Sequence, residues 1–130
     1  MSEVSTYRRK PLRIAVVLVL GIIVVGFTVY RYRHRSLPFD EVAWKNAKTD
    51  DELDRRFRMM PAIESMIQTG RLRKREDFIA KLGKPNRDHP LNLVYCLGPE
   101  HRSFIRIDSD WLDLRFDDNG NLIQHLIRPD

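Results

Sequence analysis

Residues 111–127 read WLDLRFDDNGNLIQHLI, and the fold turns on whether Asp117 and Asp118 form a site or a bend. A calcium loop starting at Asp117 needs Gly at its sixth position and Glu at its twelfth. Leu122 and Arg128 stand there instead. A hairpin needs what the stretch supplies. Leu112, Leu114 and Phe116 alternate with Asp113 and Arg115, and Asn119-Gly120 is a turn signal because both residues tolerate positive φ. The acidic pair is therefore read as a solvated turn. A two-residue loop and a three-residue loop with a glycine bulge both fit. They differ in whether Leu122, Gln124 and Leu126, or Ile123, His125 and Ile127, share the face of Phe116.

Working outward, LNLVYCL (91–97) and SFIRI (103–107) also alternate or run apolar between turn residues, which predicts antiparallel strands. Upstream the period changes. In TDDELDRRFRMMPAIESMIQTG, Leu53, Phe57, Met60, Ile63 and Ile67 recur at helical spacing. Thr49 with Glu52 forms a capping box, Gly70 is a natural stop, and Pro61 is expected to kink this helix or split it in two. KREDFIAKLGKP predicts a shorter helix with Phe78, Ile79 and Leu82 on one face, ended by Gly83 and Pro85. The two helices are the elements available to cover the apolar face of a three- or four-stranded antiparallel sheet, an α+β class.

Ahead of this lies IAVVLVLGIIVVGFTVY, Ile14 to Tyr30, seventeen residues without a charge and apolar all round. Flanked by Arg13 and Arg31, it is long enough to cross a roughly 30 Å hydrocarbon core. A cleaved signal wants a shorter apolar core and a small-x-small exit, whereas the exit here is Phe27-Thr28-Val29-Tyr30-Arg31. The expectation is an uncleaved single span at residues 12–32, so that the lipid bilayer is itself a partner. A basic tail (1–11) precedes it, a juxtamembrane connector (33–48) follows, and the α+β domain occupies 49–130. Phe39, Val42 and Trp44 of the connector either pack on the domain or rest at the membrane surface. The span lacks ionisable residues, which argues against transport chemistry. Gly21 and Gly26 are not at GxxxG spacing.

The charge is divided. Residues 1–36 hold seven Lys/Arg against one Glu, whereas residues 37–130 hold sixteen against seventeen Asp/Glu. A nucleic-acid domain normally carries its own positive excess, so none is expected as a partner. Cys96 is the only cysteine and lies in an apolar run, where a free thiol behaves as a small hydrophobe.

GRLRKREDFIAKLGKP, followed by YCLG and IDSDWLDLRFDDNGNLI, resembles the SmpA/OmlA (BamE-like) bacterial envelope domain over roughly residues 53 to 128. Leu82, Gly83, Lys84 and Pro85 match that family's Leu-Gly-x-Pro helix end. Tyr95 matches its Tyr strand, and Phe116, Asp117 and Gly120 match its late hairpin. Two departures stand out: Lys74 occupies the cap position where members often have Thr or Ser, and the chain has no N-terminal Cys to carry a lipid. The resemblance implies two helices with a small antiparallel sheet, working as a non-enzymatic adaptor with an envelope protein partner. The expected setting is a bacterial inner membrane with the domain on its periplasmic side, although four basic residues before the span against three just after it give the positive-inside rule little to act on.

Candidate chemistry is sparse, and no cofactor, metal or small-molecule substrate is expected. His34, His89, His101 and His125 show no zinc spacing. His34 joins the juxtamembrane basic cluster, and His89 and His101 fall in loops with an exposed or satisfied structural role. His125 sits in the last strand, within reach of Asp113 or Leu114 across the hairpin. On a strand Asp108 and Asp110 share one face and Asp113 takes the other. The alternative to an adaptor is a membrane-tethered hydrolase using Asp108, Asp110 and His125. The candidate interaction surface is the basic run Arg71, Arg73, Lys74 and Arg75. It suits an acidic protein surface or an anionic lipid head group, the latter being a third reading of function.

Overall fold

The computed structural model describes residues 9–101 and 108–130 and divides into two units, Met1–Arg35 and Ser36–Asp130. The strand expected at 103–107 lies outside the described residues, as do residues 1–8 of the basic tail. In the first unit, α1 (Arg9–Arg33) contains Arg13–Tyr32, a stretch long and apolar enough to cross a membrane, with none of its side chains buried. Thr28 returns its hydroxyl to the Val24 carbonyl at 2.8 Å, so this polar side chain is satisfied within the helix.

The second unit is α+β. Helices α2 (Glu41–Asn46), α3 (Asp50–Gln68) and α4 (Arg75–Leu82) precede strands β1 (Arg87–His89), β2 (Asn92–Pro99), β3 (Ser109–Phe116) and β4 (Leu122–Pro129). The sheet is an antiparallel meander in the order β1-β2-β3-β4. Leu93, Tyr95 and Leu97 of β2 meet Leu112, Leu114 and Phe116 of β3 on one buried face, closed by Met59, Met60 and Ile63 of α3 and Phe78 and Leu82 of α4.

This unit reaches further toward α1 than the sequence reading placed it, because residues 36–48 fold into it. Asp40 caps α2 by accepting the Ala43 amide at 3.0 Å, and Trp44 is 0 % exposed, with its ring 6.3 Å from that of Tyr95. Six residues are too few for a periodic pattern to be read, and one tryptophan supplies the contact. Strand β1 was also missed, since its three residues are all polar and exposed.

Helix α3 has its capping box, with the Glu52 amide on Thr49 Oγ1 and the Thr49 amide on Glu52 Oε2. It is not split at Pro61: it runs unbroken through the proline. Proline removes the donor that would meet the Phe57 carbonyl, and the next carbonyl, that of Arg58, accepts from the Leu37 amide at 2.7 Å. Buried Met60 and Ile63 hold the helix on the core from either side of it. In α4, Lys74 has no acceptor with which to cap. The Asp77 carboxylate does the work from the helix side, accepting the amides of Lys74 at 2.9 Å and Arg73 at 3.1 Å. These bonds, the Lys74 amide first, hold its carboxyl below the usual range.

The hairpin takes the three-residue loop with a glycine bulge. The Gly120 amide returns to the Asp117 carbonyl at 3.0 Å with Gly120 at φ +78, and Asp117 and Asn121 pair across the loop at 2.9 Å. A second irregularity follows: Phe116 pairs with Leu122, but Arg115 pairs with Gln124, leaving Ile123 as an extra residue. Neither expected set shares the face of Phe116 intact. Leu122 from one set and His125 and Ile127 from the other do, because the bulge flips the alternation between them.

Two outcomes follow. Gly98 has φ +93, and a Cβ there would stand 3.0 Å from Leu53 Cβ and 3.2 Å from the Asp54 amide nitrogen. Gly98→Ala is therefore expected to cost about 2–3 kcal/mol in denaturant unfolding, and Gly120→Ala, whose Cβ would meet only Glu76 Oε1 at 4.0 Å, about 1 kcal/mol. Asp77→Ala is expected to lower stability at neutral pH. Because the folded pKa is depressed, that contribution is fully present above the unfolded value, near 3.8, and disappears as pH falls through the folded one. Thermal melts of the two proteins should therefore converge in acid.

Candidate functional site

The described part of the folded unit gathers ionisable side chains most tightly where the end of β2 meets α3. Asp54 and Phe57 are three residues apart on α3 and so share a face. Asp110 points to the helix side of β3, in phase with Leu112 and Leu114. His101 follows β2 and enters between them. Its Nδ1 lies 2.8 Å from Asp110 Oδ2 and its Nε2 lies 2.8 Å from Asp54 Oδ1, while its backbone amide donates to Asp110 Oδ2 at 2.9 Å. The Phe57 ring stacks on the imidazole at 3.6 Å, nearly parallel. The imidazole is 6 % exposed and the Asp110 side chain 3 %, against 29 % for Asp54.

Hydrogen-bond accounting limits the chemistry. Each ring nitrogen of the imidazole faces a carboxylate oxygen, so the hydrogen-bonding capacity of the ring is taken up within the cluster. A general base needs a free lone pair aimed at a proton. Both ring nitrogens are engaged here, and one ring face is covered by Phe57. The cluster is a hydrogen-bonded brace between α3, the exit of β2 and β3.

The residues named for a hydrolase are not brought together. Asp110 is in the brace, Asp108 is exposed ahead of β3, and His125 is exposed on β4 opposite Leu114. Asp110 sits opposite Pro129, four strand residues from His125, or about 13 Å. The histidine that meets Asp110 is His101, for which the sequence predicts a loop. No local pattern marks it: the chain leaves β2 and returns to β3 by pairing Pro99 with Ser109 and Glu100 with Asp108, and His101 turns from the end of that ladder onto Asp110. The bulge between Cys96 and Pro99 hides that register from a simple count.

Asp113, on the opposite face, is also consumed. It accepts from Arg128 Nε at 3.1 Å and from Asn92 Nδ2, while the Arg87 guanidinium lies over the Trp111 ring at 5.1 Å. Asp117 receives the amides of Asn119 and Asn121 at 2.9 and 2.8 Å, bonds that lower its pKa, with Asn121 the largest cause. It is a turn-forming carboxylate. Among the described residues, no three His, Cys, Asp or Glu side chains are placed to hold a metal ion.

The basic run lies along the hairpin tip. Leu122 donates to the Arg73 carbonyl at 2.8 Å, Arg75 donates to the Gly120 carbonyl at 2.9 Å, and Lys74 bridges Asn121. Arg75 is drawn into an ion pair with Asp88 of β1. Arg71, Arg73 and Lys74 are exposed, so these three are the cations left to an outside partner.

His101→Ala removes the imidazole from the buried Asp110 carboxylate and leaves it the backbone amide of residue 101, and is expected to cost about 2 kcal/mol in urea unfolding. Asp54→Ala, at the wetter end, should cost about 1 kcal/mol or less. Equal losses from the two would show that the brace is not graded by burial. Set against known proteins, the chain matches no family model, no curated protein and no solved structure.

Proposed function

We propose that this chain is a single-pass protein of a bacterial inner membrane, with α1 as its anchor. Its folded unit then acts on the periplasmic side as a non-enzymatic protein-binding domain of the SmpA/OmlA (BamE-like) kind. The observation that carries the non-catalytic part is the brace: His101, the histidine set between two carboxylates, has both ring nitrogens bound and holds elements together. Support for the anchor is the length and apolarity of Arg13–Tyr32. Support for the family likeness is that its motif pieces touch one another. The Tyr95 hydroxyl donates to the Gly83 carbonyl at 2.9 Å, joining the Tyr strand to the Leu-Gly-x-Pro helix end. The envelope partner would meet exposed Arg71, Arg73 and Lys74.

A second reading is favoured by those same three cations, none of which forms a close ion pair with an acidic side chain among the described residues: they bind anionic lipid head groups. The two readings separate in one experiment on the full chain. Photocrosslinking groups placed at Arg71 and Arg73 should capture a protein of discrete mass, with a C-terminal phosphatase fusion active and the chain resistant to carbonate extraction. Loss of crosslinked protein together with salt-sensitive binding to anionic vesicles would favour the lipid reading. Release by carbonate, or a hydrolytic turnover abolished by Asp110→Asn in a folded protein, would overturn the proposal.

A further inference from the structure

We propose that the open edge of β4 pairs with β4 of a second copy of this chain, antiparallel and centred on Leu126. This inference stands on the folded unit and does not require the anchor.

Among the described residues the free edge is narrow, and its limits are built in. The Asp130 amide donates to the Ser109 carbonyl at 3.0 Å, so Ser109 and Asp130 are a hydrogen-bonded pair of the β3–β4 ladder. Alternation then turns the backbone of Gln124, Leu126 and Arg128 inward to β3 and that of His125 and Ile127 outward. At one end the Leu122 amide is already taken by the Arg73 carbonyl, and Ile123 is bulged. At the other end Pro129 has no N–H to donate. His125 and Ile127 remain, with two donors and two acceptors between them.

A two-fold axis at Leu126 uses all four. His125 of each copy pairs with Ile127 of the other, and Leu126 meets Leu126 as the close, non-hydrogen-bonded pair. The strand is charge-free from Leu122 to Ile127, so no like charges are opposed, and edges that avoid pairing usually carry charges there. The same register sets Arg128 against Gln124. It also carries the Asp130 end of one copy toward Arg73 of the other, whose main chain occupies the outward side of Leu122. Arg73 is exposed, and Asp130 is held within its own copy at a long 3.9 Å from Arg87. That charge match favours a second copy over an unrelated strand.

The test uses the full chain in detergent micelles. Light scattering should give a dimer. In a Cys96→Ser background, Leu126→Cys should crosslink on oxidation, and Ile123→Cys should not, since its copies stand about 20 Å apart in this register. Ile127→Pro removes an outward N–H that the β3–β4 ladder does not use, and should weaken association about thirtyfold. Asp130→Arg should also weaken it, and adding Arg73→Asp should restore it; this arm decides the matter if the proline variant does not fold. A monomer, a crosslink at position 123 in place of 126, or a dimer indifferent to Ile127→Pro and to the charge reversals, as one held by α1 would be, overturns the proposal.

Discussion

A buried guanidinium sets the geometry of the folded unit. Arg56 is 7 % exposed; its Nε donates to the Trp44 carbonyl at 2.8 Å and its Nη1 to the Cys96 carbonyl at 3.1 Å, and the group lies 5.1 Å over the Trp44 ring. Burial pulls its pKa down, yet an arginine this far above neutrality stays charged and must find acceptors wherever it goes. It finds them on α2 and on β2, so three elements are held at one point. The cost of leaving such a charge unpaired is several kcal/mol. That constraint explains why a six-residue helix with a single buried side chain is part of the fold.

The neighbouring turn of α3 carries the other fixed contacts. Leu53 and Asp54 lie against Gly98, where β2 bulges and the backbones come too close for a side chain. Asp54 reaches His101 just beyond that bulge. The bulge, the close approach and the hydrogen-bonded brace thus form one device. Gly98 lets α3 descend onto the strand, the descent brings Asp54 to the end of β2, and His101 links it to Asp110 on β3. Function and stability are hard to separate here, because the residues with catalytic character are the ones that fasten the helix to the sheet.

Much of this was legible in sequence wherever the physics is local. A capping box spans three residues, a glycine stop needs one, and the Asp117–Gly120 turn is closed by bonds among its own atoms. The amphipathic stripe of α3 and the alternation of β3 are likewise local patterns, and they carried the α+β class. Illegible were the features fixed by distant contacts. Trp44 could be placed at a surface or in a core with equal ease until Arg56 was seen to reach its carbonyl. His101 lies 47 residues from Asp54, and a one-residue bulge conceals its register with Asp110. The hairpin posed a choice between two faces, and Ile123 defeats that choice by changing the phase midway along the strand.

That extra residue also bears on how the sheet ends. A regular β4 would present outward donors along its whole length, continuing the line begun by Arg73 and Leu122. The bulge at Ile123 breaks that line, leaving an apolar side chain 66 % exposed beside it, and Pro129 closes the far end. Such devices usually blunt an edge completely. Here they stop short, sparing two outward residues flanked by a bulge and a proline. A window of that size fits a short symmetric pairing and resists the open-ended strand addition that leads to aggregation. The same irregularity that made the register hard to read from sequence is what limits the edge to a defined partner.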